Sequence, residues 1–179
     1  MNFFHPSQSK STWFILLKTC LHALWVWLVS LACLPWAICS AEDFFSFHRL
    51  SFAFQGPIAV VAFSLFALLN GWSAFAMVTQ GRGTPLPLDC PNLLVINGPY
   101  AYVRNPMAIS GLGLGWSVAV FCGSGFVALY VTGGLLLWNY AVRPLEEKDL
   151  LNRFGRDFRH YVDHVNCWIP RRSAYQPLQ

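Results

Sequence analysis

Charge is what this sequence has least of. Only 11% of its 179 residues are Asp, Glu, Lys or Arg, against roughly one-quarter in an ordinary soluble domain, which excludes a water-facing surface of the usual kind. No Cys-x-x-Cys pair occurs among Cys20, Cys33, Cys39, Cys90, Cys122 and Cys167, so neither a zinc cluster nor a redox motif is supported, and the cysteines read as small apolar helix residues. No Ser/Gly-rich linker, low-complexity tract or internal repeat divides the chain, so residues 1–179 are expected to form one domain. The net charge of +4 is not gathered into a basic stripe. It flanks hydrophobic runs, which points to anionic lipid and away from nucleic acid.

What is present in excess is apolar, 55% of the chain. Trp13 to Cys39 is apolar apart from Lys18 and His22, long enough for the roughly 20 residues of a spanning helix. A signal peptide competes for this stretch, because Cys39-Ser40-Ala41 resembles a small-residue cleavage site, but the apolar core is longer than such peptides use. Pro57 to Thr79 carries no charge and reads as a second crossing, with Pro57 in the first turn, where its missing donor does no harm. From Met107 to Val142 there is again no charge, too long a run for one helix. Gly123-Ser124-Gly125 divides it into a hairpin of two crossings, Met107 to Cys122 and Phe126 to Tyr140.

Beyond Arg143 the pattern becomes amphipathic. Leu151, Phe154, Phe158, Tyr161 and Val165 share one helical face, while Arg153, Arg156 and Arg159 fall largely elsewhere. Such a helix is expected to lie along the headgroup boundary, its aromatic face against the hairpin or lipid, ending at Trp168 and Pro170. The expected fold is therefore all-α and polytopic, with about four transmembrane helices and a C-terminal interfacial helix. With four crossings, Lys10, Lys18, Arg82, Arg104, Arg143, Lys148, Arg153, Arg156, Arg159, Arg171 and Arg172 share one side and only Arg49 lies on the other. Basic residues stay inside, so both termini are expected in the cytosol; which membrane is occupied is not encoded.

Two polar clusters flank the charge-free hairpin on that side. One runs from Thr84-Pro85-Leu86-Pro87-Leu88-Asp89 to Asn97-Gly98-Pro99-Tyr100-Ala101-Tyr102-Val103-Arg104-Asn105-Pro106-Met107, where prolines and glycine force an ordered, non-helical path. The other is Arg143-Pro144-Leu145-Glu146-Glu147. Paired carboxylates beside a membrane are costly unless a cation or a donor meets them.

The order "GPYAYVRNPM", charge-free hairpin, "EEKDLLNRFG" and terminal "WIPR" resembles the isoprenylcysteine carboxyl methyltransferase and phospholipid methyltransferase superfamily, over about Thr84 to Arg171. The resemblance implies a membrane-embedded methyltransferase using S-adenosyl-L-methionine, with residues 80–171 as the cofactor-binding region and 1–79 as two preceding helices. It implies cofactor contacts from Asn92, Leu93, Leu94, Val95, Tyr100, Asn105, Pro106, Met107, Ala108 and Glu146. Arg143 takes the place of the basic residue facing substrate, and Arg104 is a second candidate, for the cofactor carboxylate. Glu147 is the candidate base should the acceptor be an amine. The acceptor itself, whether isoprenylcysteine carboxylate, phospholipid amine or thiol, stays open. The chemistry agrees independently: a zwitterionic cofactor with a ribose needs a cation, carboxylates and backbone groups, and arginine and glutamate supply strong charge-assisted bonds.

The chain departs from the family pattern at Ala108, where Tyr is usual, at Leu145, where an aromatic often stands, at Lys148, where Pro commonly follows the pair, and at Phe158, where Tyr is common. These departures keep a non-catalytic protein of the same fold as an alternative, with a sterol-type membrane reductase behind it. Gly111-x-Gly113-x-Gly115 lies inside an apolar helix and reads as close helix packing, not a nucleotide loop. His160 and His164, four apart without a third ligand, read as surface histidines.

Overall fold

A computed structural model describes residues 12–83 and 91–177. Among these residues the chain is helical, without strands: α1 (Thr12–Trp27), α2 (Leu34–Phe44), α3 (Gln55–Gly81), α4 (Pro106–Cys122), α5 (Gly125–Leu137) and α6 (Arg143–His164), with a short 3-10 turn at Gly98–Ala101. The Thr84 to Asp89 part of the first polar cluster lies outside the described residues.

Two junctions are continuous. A π-helical segment, Leu28–Cys33, joins α1 to α2, and another, Trp138–Val142, joins α5 to α6. Each ends two residues before a proline, Pro35 or Pro144. A proline inside a helix lacks the N–H and its ring clashes with the carbonyl four residues back; a widened turn just before it relieves both. The helices Trp13–Phe44, Gln55–Gly81 and Gly125–His164 are long and apolar enough to cross a membrane, and α4 is a shorter apolar helix of 17 residues. Their outer faces carry exposed Trp13, Leu24, Leu65, Leu68, Leu129 and Leu137, the surface of an integral membrane protein.

The sequence reading ends the fourth apolar run at Tyr140 and starts a separate tail helix after Arg143. Instead the helix runs through, and its interruption falls at Gly155, with φ 52° and ψ −117°, a conformation that favours glycine. Past it, Phe158 and Tyr161 bury themselves against Ala101, Val165 and Tyr175, with Leu94 and Ile96 alongside. The aromatic face of the tail thus packs on the protein's own 94–101 segment, not on the hairpin or lipid. The helix also stops earlier than Trp168, with Val165 already extended.

α4 lies between α3 and α5, and the glycine stripe is what lets it. A Cβ on Gly113 would fall on the Phe66 ring, one on Gly115 would come within 2.8 Å of Val131, and one on Gly111 within 2.9 Å of the Trp27 indole. At one end of the bundle the α4–α5 turn is capped as expected. Gly123 closes α4 at φ +64°, and the Ser124 hydroxyl accepts from the Val127 N–H at 3.0 Å.

The loop from α2 to α3 docks on that turn. Leu50 N–H donates to the Gly123 carbonyl at 2.8 Å and the Gln55 amide to the Val120 carbonyl at 2.7 Å. Glu42, 5% exposed, accepts from the Ser124 hydroxyl at 2.8 Å and lies 3.5 Å from the Arg49 guanidinium.

Candidate functional site

The opposite end of the bundle is open. Gly81 ends α3 by accepting from the N–H groups of Asn92 and Leu93, at 2.7 and 3.2 Å, while the Asn92 amide donates to the Arg82 carbonyl. Arg153, held by Asp149 one turn back at 3.0 Å, also donates to the Pro91 carbonyl, clamping this return segment to α6. Gly98, at φ +61°, starts the 3-10 turn that carries Tyr100. Tyr161 fixes that turn by donating from its hydroxyl to the Tyr100 carbonyl at 2.6 Å.

Asn105 then caps α4. Its side-chain oxygen accepts from the Ala108 N–H at 3.0 Å, and Pro106 follows at the first helical position, buried. The C-terminal segment closes over the same turn. Arg104 N–H donates to Asn166, Arg171 N–H to Tyr102 and Tyr175 N–H to Ala101, at 2.8–2.9 Å. His160 is not a free surface histidine: its Nδ1 lies 2.7 Å from the Tyr175 hydroxyl and its ring stacks on His164 at 4.2 Å. The described residues hold no cluster suited to a metal ion.

These elements surround one cavity of about 590 Å³. Of the residues singled out from sequence, Leu93, Leu94, Val95, Tyr100, Arg104, Asn105, Met107, Ala108, Arg143, Glu146 and Glu147 line it. Asn92 and Pro106 do not; the first ends α3 and the second starts α4. The polar half is only partly satisfied from within. Arg104 pairs with Glu147 at 2.8 Å, but its Nε, the Nε of Arg143 and the Tyr100 hydroxyl are buried without a partner among the described residues. Buried donors are seldom left so, and three converging on one cavity invite acceptors from a ligand. Burial, with Tyr161 and Glu146 close by, holds the Tyr100 phenol above its ordinary pKa, so it remains a donor at physiological pH.

The other half of the cavity reaches into the apolar bundle. Val26, Trp27 and Ser30 line it from the first helix, Asn70 from α3, Gly111 and Leu112 from α4, and Gly134 and Trp138 from α5 and its π turn. Apart from Gly111, read as a packing glycine, sequence reasoning missed these residues. Asn70 carried a signal, as a carboxamide in the middle of a charge-free apolar run; Trp27 and Ser30 carried none.

A polar mouth continuous with an apolar arm suits a polar cofactor meeting a lipid-borne molecule. The family model for phospholipid methyltransferase matches residues 57–157, more than half of the chain, and the chain belongs to that family. No curated protein and no solved structure matches.

Proposed function

We propose that this member of the phospholipid methyltransferase family transfers a methyl group from S-adenosylmethionine to a lipophilic acceptor at the mouth of the α4–α5 hairpin. The observation that carries the reading is the single cavity in which Tyr100, Arg104, Arg143, Glu146 and Glu147 meet an apolar arm. The donor set fits the cofactor's chemistry. Tyr100 and the two unpartnered arginine Nε groups offer hydrogen bonds, Glu146 accepts from hydroxyl or ammonium groups, and the Leu93 to Val95 backbone borders the same space.

S-adenosylmethionine supplies, when bound, a methyl group already activated on a sulfonium. The protein's work is then alignment and exclusion of water. Arg143, at the start of α6, holds the acceptor's anionic portion. The Glu146–Glu147 pair, with Glu147 oriented by Arg104, receives the proton that an amine acceptor gives up. Arg82, Arg104, Arg143 and the basic residues of α6 lie at this end of the bundle and Arg49 at the other, so the mouth faces the cytosol, where the cofactor is found.

Titration of the purified protein with S-adenosylhomocysteine tests the reading. The expected outcome is saturable binding that weakens about 10- to 100-fold in Glu146→Ala, the loss of a charge-assisted bond, accompanied by transfer of labelled methyl to extracted lipid. Absence of binding, or equal binding by the variant, would sink it.

A further inference from the structure

The apolar arm of the cavity contains one side chain that an apolar tail does not require. Asn70 sits in the middle of α3, only 8% exposed, and lines the cavity. One of its amide N–H groups is committed to the Ser110 hydroxyl at 2.9 Å, and Ser110 in turn donates to the Met107 carbonyl at 3.0 Å. The other N–H and the carboxamide oxygen have no partner among the described residues. A carboxamide in the middle of an apolar helix with one N–H and its oxygen unused beside a cavity is costly to keep unless a ligand completes it. The Ser110 bond also fixes the amide's orientation, so the free N–H is held in place before any ligand arrives.

Position along α3 says what that ligand would present. Met77, which packs with Tyr100 at the polar mouth, is seven residues further along the same helix, about 10 Å at 1.5 Å per residue. That span is about the length of a phosphoethanolamine–glycerol head from its amine to its ester carbonyls. A prenyl tail passing the same point would offer only carbon. Resting on the methyltransferase reading above, we propose that Asn70 is a specificity-determining residue whose free N–H donates to an ester carbonyl of an amine-headed glycerophospholipid. The Asn70–Ser110 pair thereby sets the depth at which the headgroup stands beside Arg143 and the glutamate pair.

The test compares two acceptors differing only in their two ester carbonyls, diacyl phosphatidylethanolamine and its dialkyl ether analogue, presented in dialkyl phosphatidylglycerol vesicles to the full-length protein. The wild type is expected to use the diester with about three- to tenfold higher kcat/KM, the effect of one hydrogen bond, and Asn70→Leu to bring the ratio close to one. The same ratio is read without turnover by competing each lipid against a fluorescent diacyl phosphatidylethanolamine bound to the protein. Equal handling of the two lipids by the wild type overturns the proposal whether or not the variant folds, as does a ratio that Asn70→Leu leaves unchanged. Failure of S-adenosylhomocysteine to bind would count against the methyltransferase reading alone, with the competition assay still deciding the role of Asn70.

Discussion

The two ends of the helical bundle are made from the same chemistry and use it oppositely. At the α4–α5 turn, Ser124 donates to one oxygen of Glu42, Gln55 and Leu50 bond carbonyls at the end of α4, and the other Glu42 oxygen, buried without a hydrogen bond, has the Arg49 guanidinium 3.5 Å away. At the mouth an arginine–glutamate pair is again present, Arg104 with Glu147, yet Tyr100, Arg104 and Arg143 keep buried donors without partners. One end spends its bonds and an opposite charge on holding a loop on a turn. The other leaves three buried donors facing a cavity, which costs stability unless a ligand completes them. Substitutions at the first end should therefore move stability and spare ligand affinity, and those at the second should lower ligand affinity.

The largest effect expected from breaking this contrast is at Gly123. Its φ of +64° disfavours any side chain, and a Cβ there would land on the Leu50 carbonyl oxygen. Gly123→Ala should cost about 2–4 kcal/mol, from the left-handed backbone and the displaced loop together. Thermal unfolding in detergent should show the loss, while the folded fraction binds S-adenosylhomocysteine as tightly as the wild type. Weakened affinity in that fraction would mean that the two ends are not independent.

A smaller effect probes the mouth's own scaffold. Tyr161→Phe removes the donor to the Tyr100 carbonyl, in a site where both residues are buried. The orphaned carbonyl should cost about 1–2 kcal/mol of stability. Because that bond sets the turn carrying the Tyr100 hydroxyl, S-adenosylhomocysteine affinity should also fall a few-fold, which isothermal titration would read. Lost stability with unchanged affinity would separate Tyr100 from the ligand.

How far each end could be read from the sequence follows from what local pattern encodes. The four apolar runs were legible because a spanning helix needs about 20 such residues, and Gly123-Ser124-Gly125 because its cap chemistry is local. The mouth was legible through Tyr100, Arg104, Arg143, Glu146 and Glu147, whose order follows the family's. The continuity of α5 with α6 was hidden because the pattern changes from charge-free to amphipathic at Arg143, and a π turn before Pro144 carries the helix across that change. Asn92 fits the family's cofactor stretch by position, but its backbone and amide are spent on ending α3. Trp27 and Ser30 reach the cavity through tertiary packing against Gly111 and α5, which no local spacing foretells. The pairing of the C-terminal segment with residues 101–104 is equally non-local.

The smallest expected effect separates two carboxylates that share one cation. Arg49 stands 2.6 Å from Asp43 and 3.5 Å from Glu42, so distance alone would name Asp43 as its main partner. Exposure argues the other way, since the Asp43 side chain is 70% exposed and that of Glu42 only 5%. Water and salt screen the first pair, and holding two side chains together costs entropy, so such surface pairs contribute at most about 0.5 kcal/mol. Glu42 has no such access to water and is met by Arg49 and Ser124 inside the protein. Asp43→Asn should accordingly leave the unfolding temperature within a degree or two, with even that difference vanishing in molar salt. A salt-insensitive drop approaching that of Gly123→Ala would show that the short surface contact, not the buried carboxylate, holds the loop on the turn, and the contrast between the two ends would have to be redrawn around it.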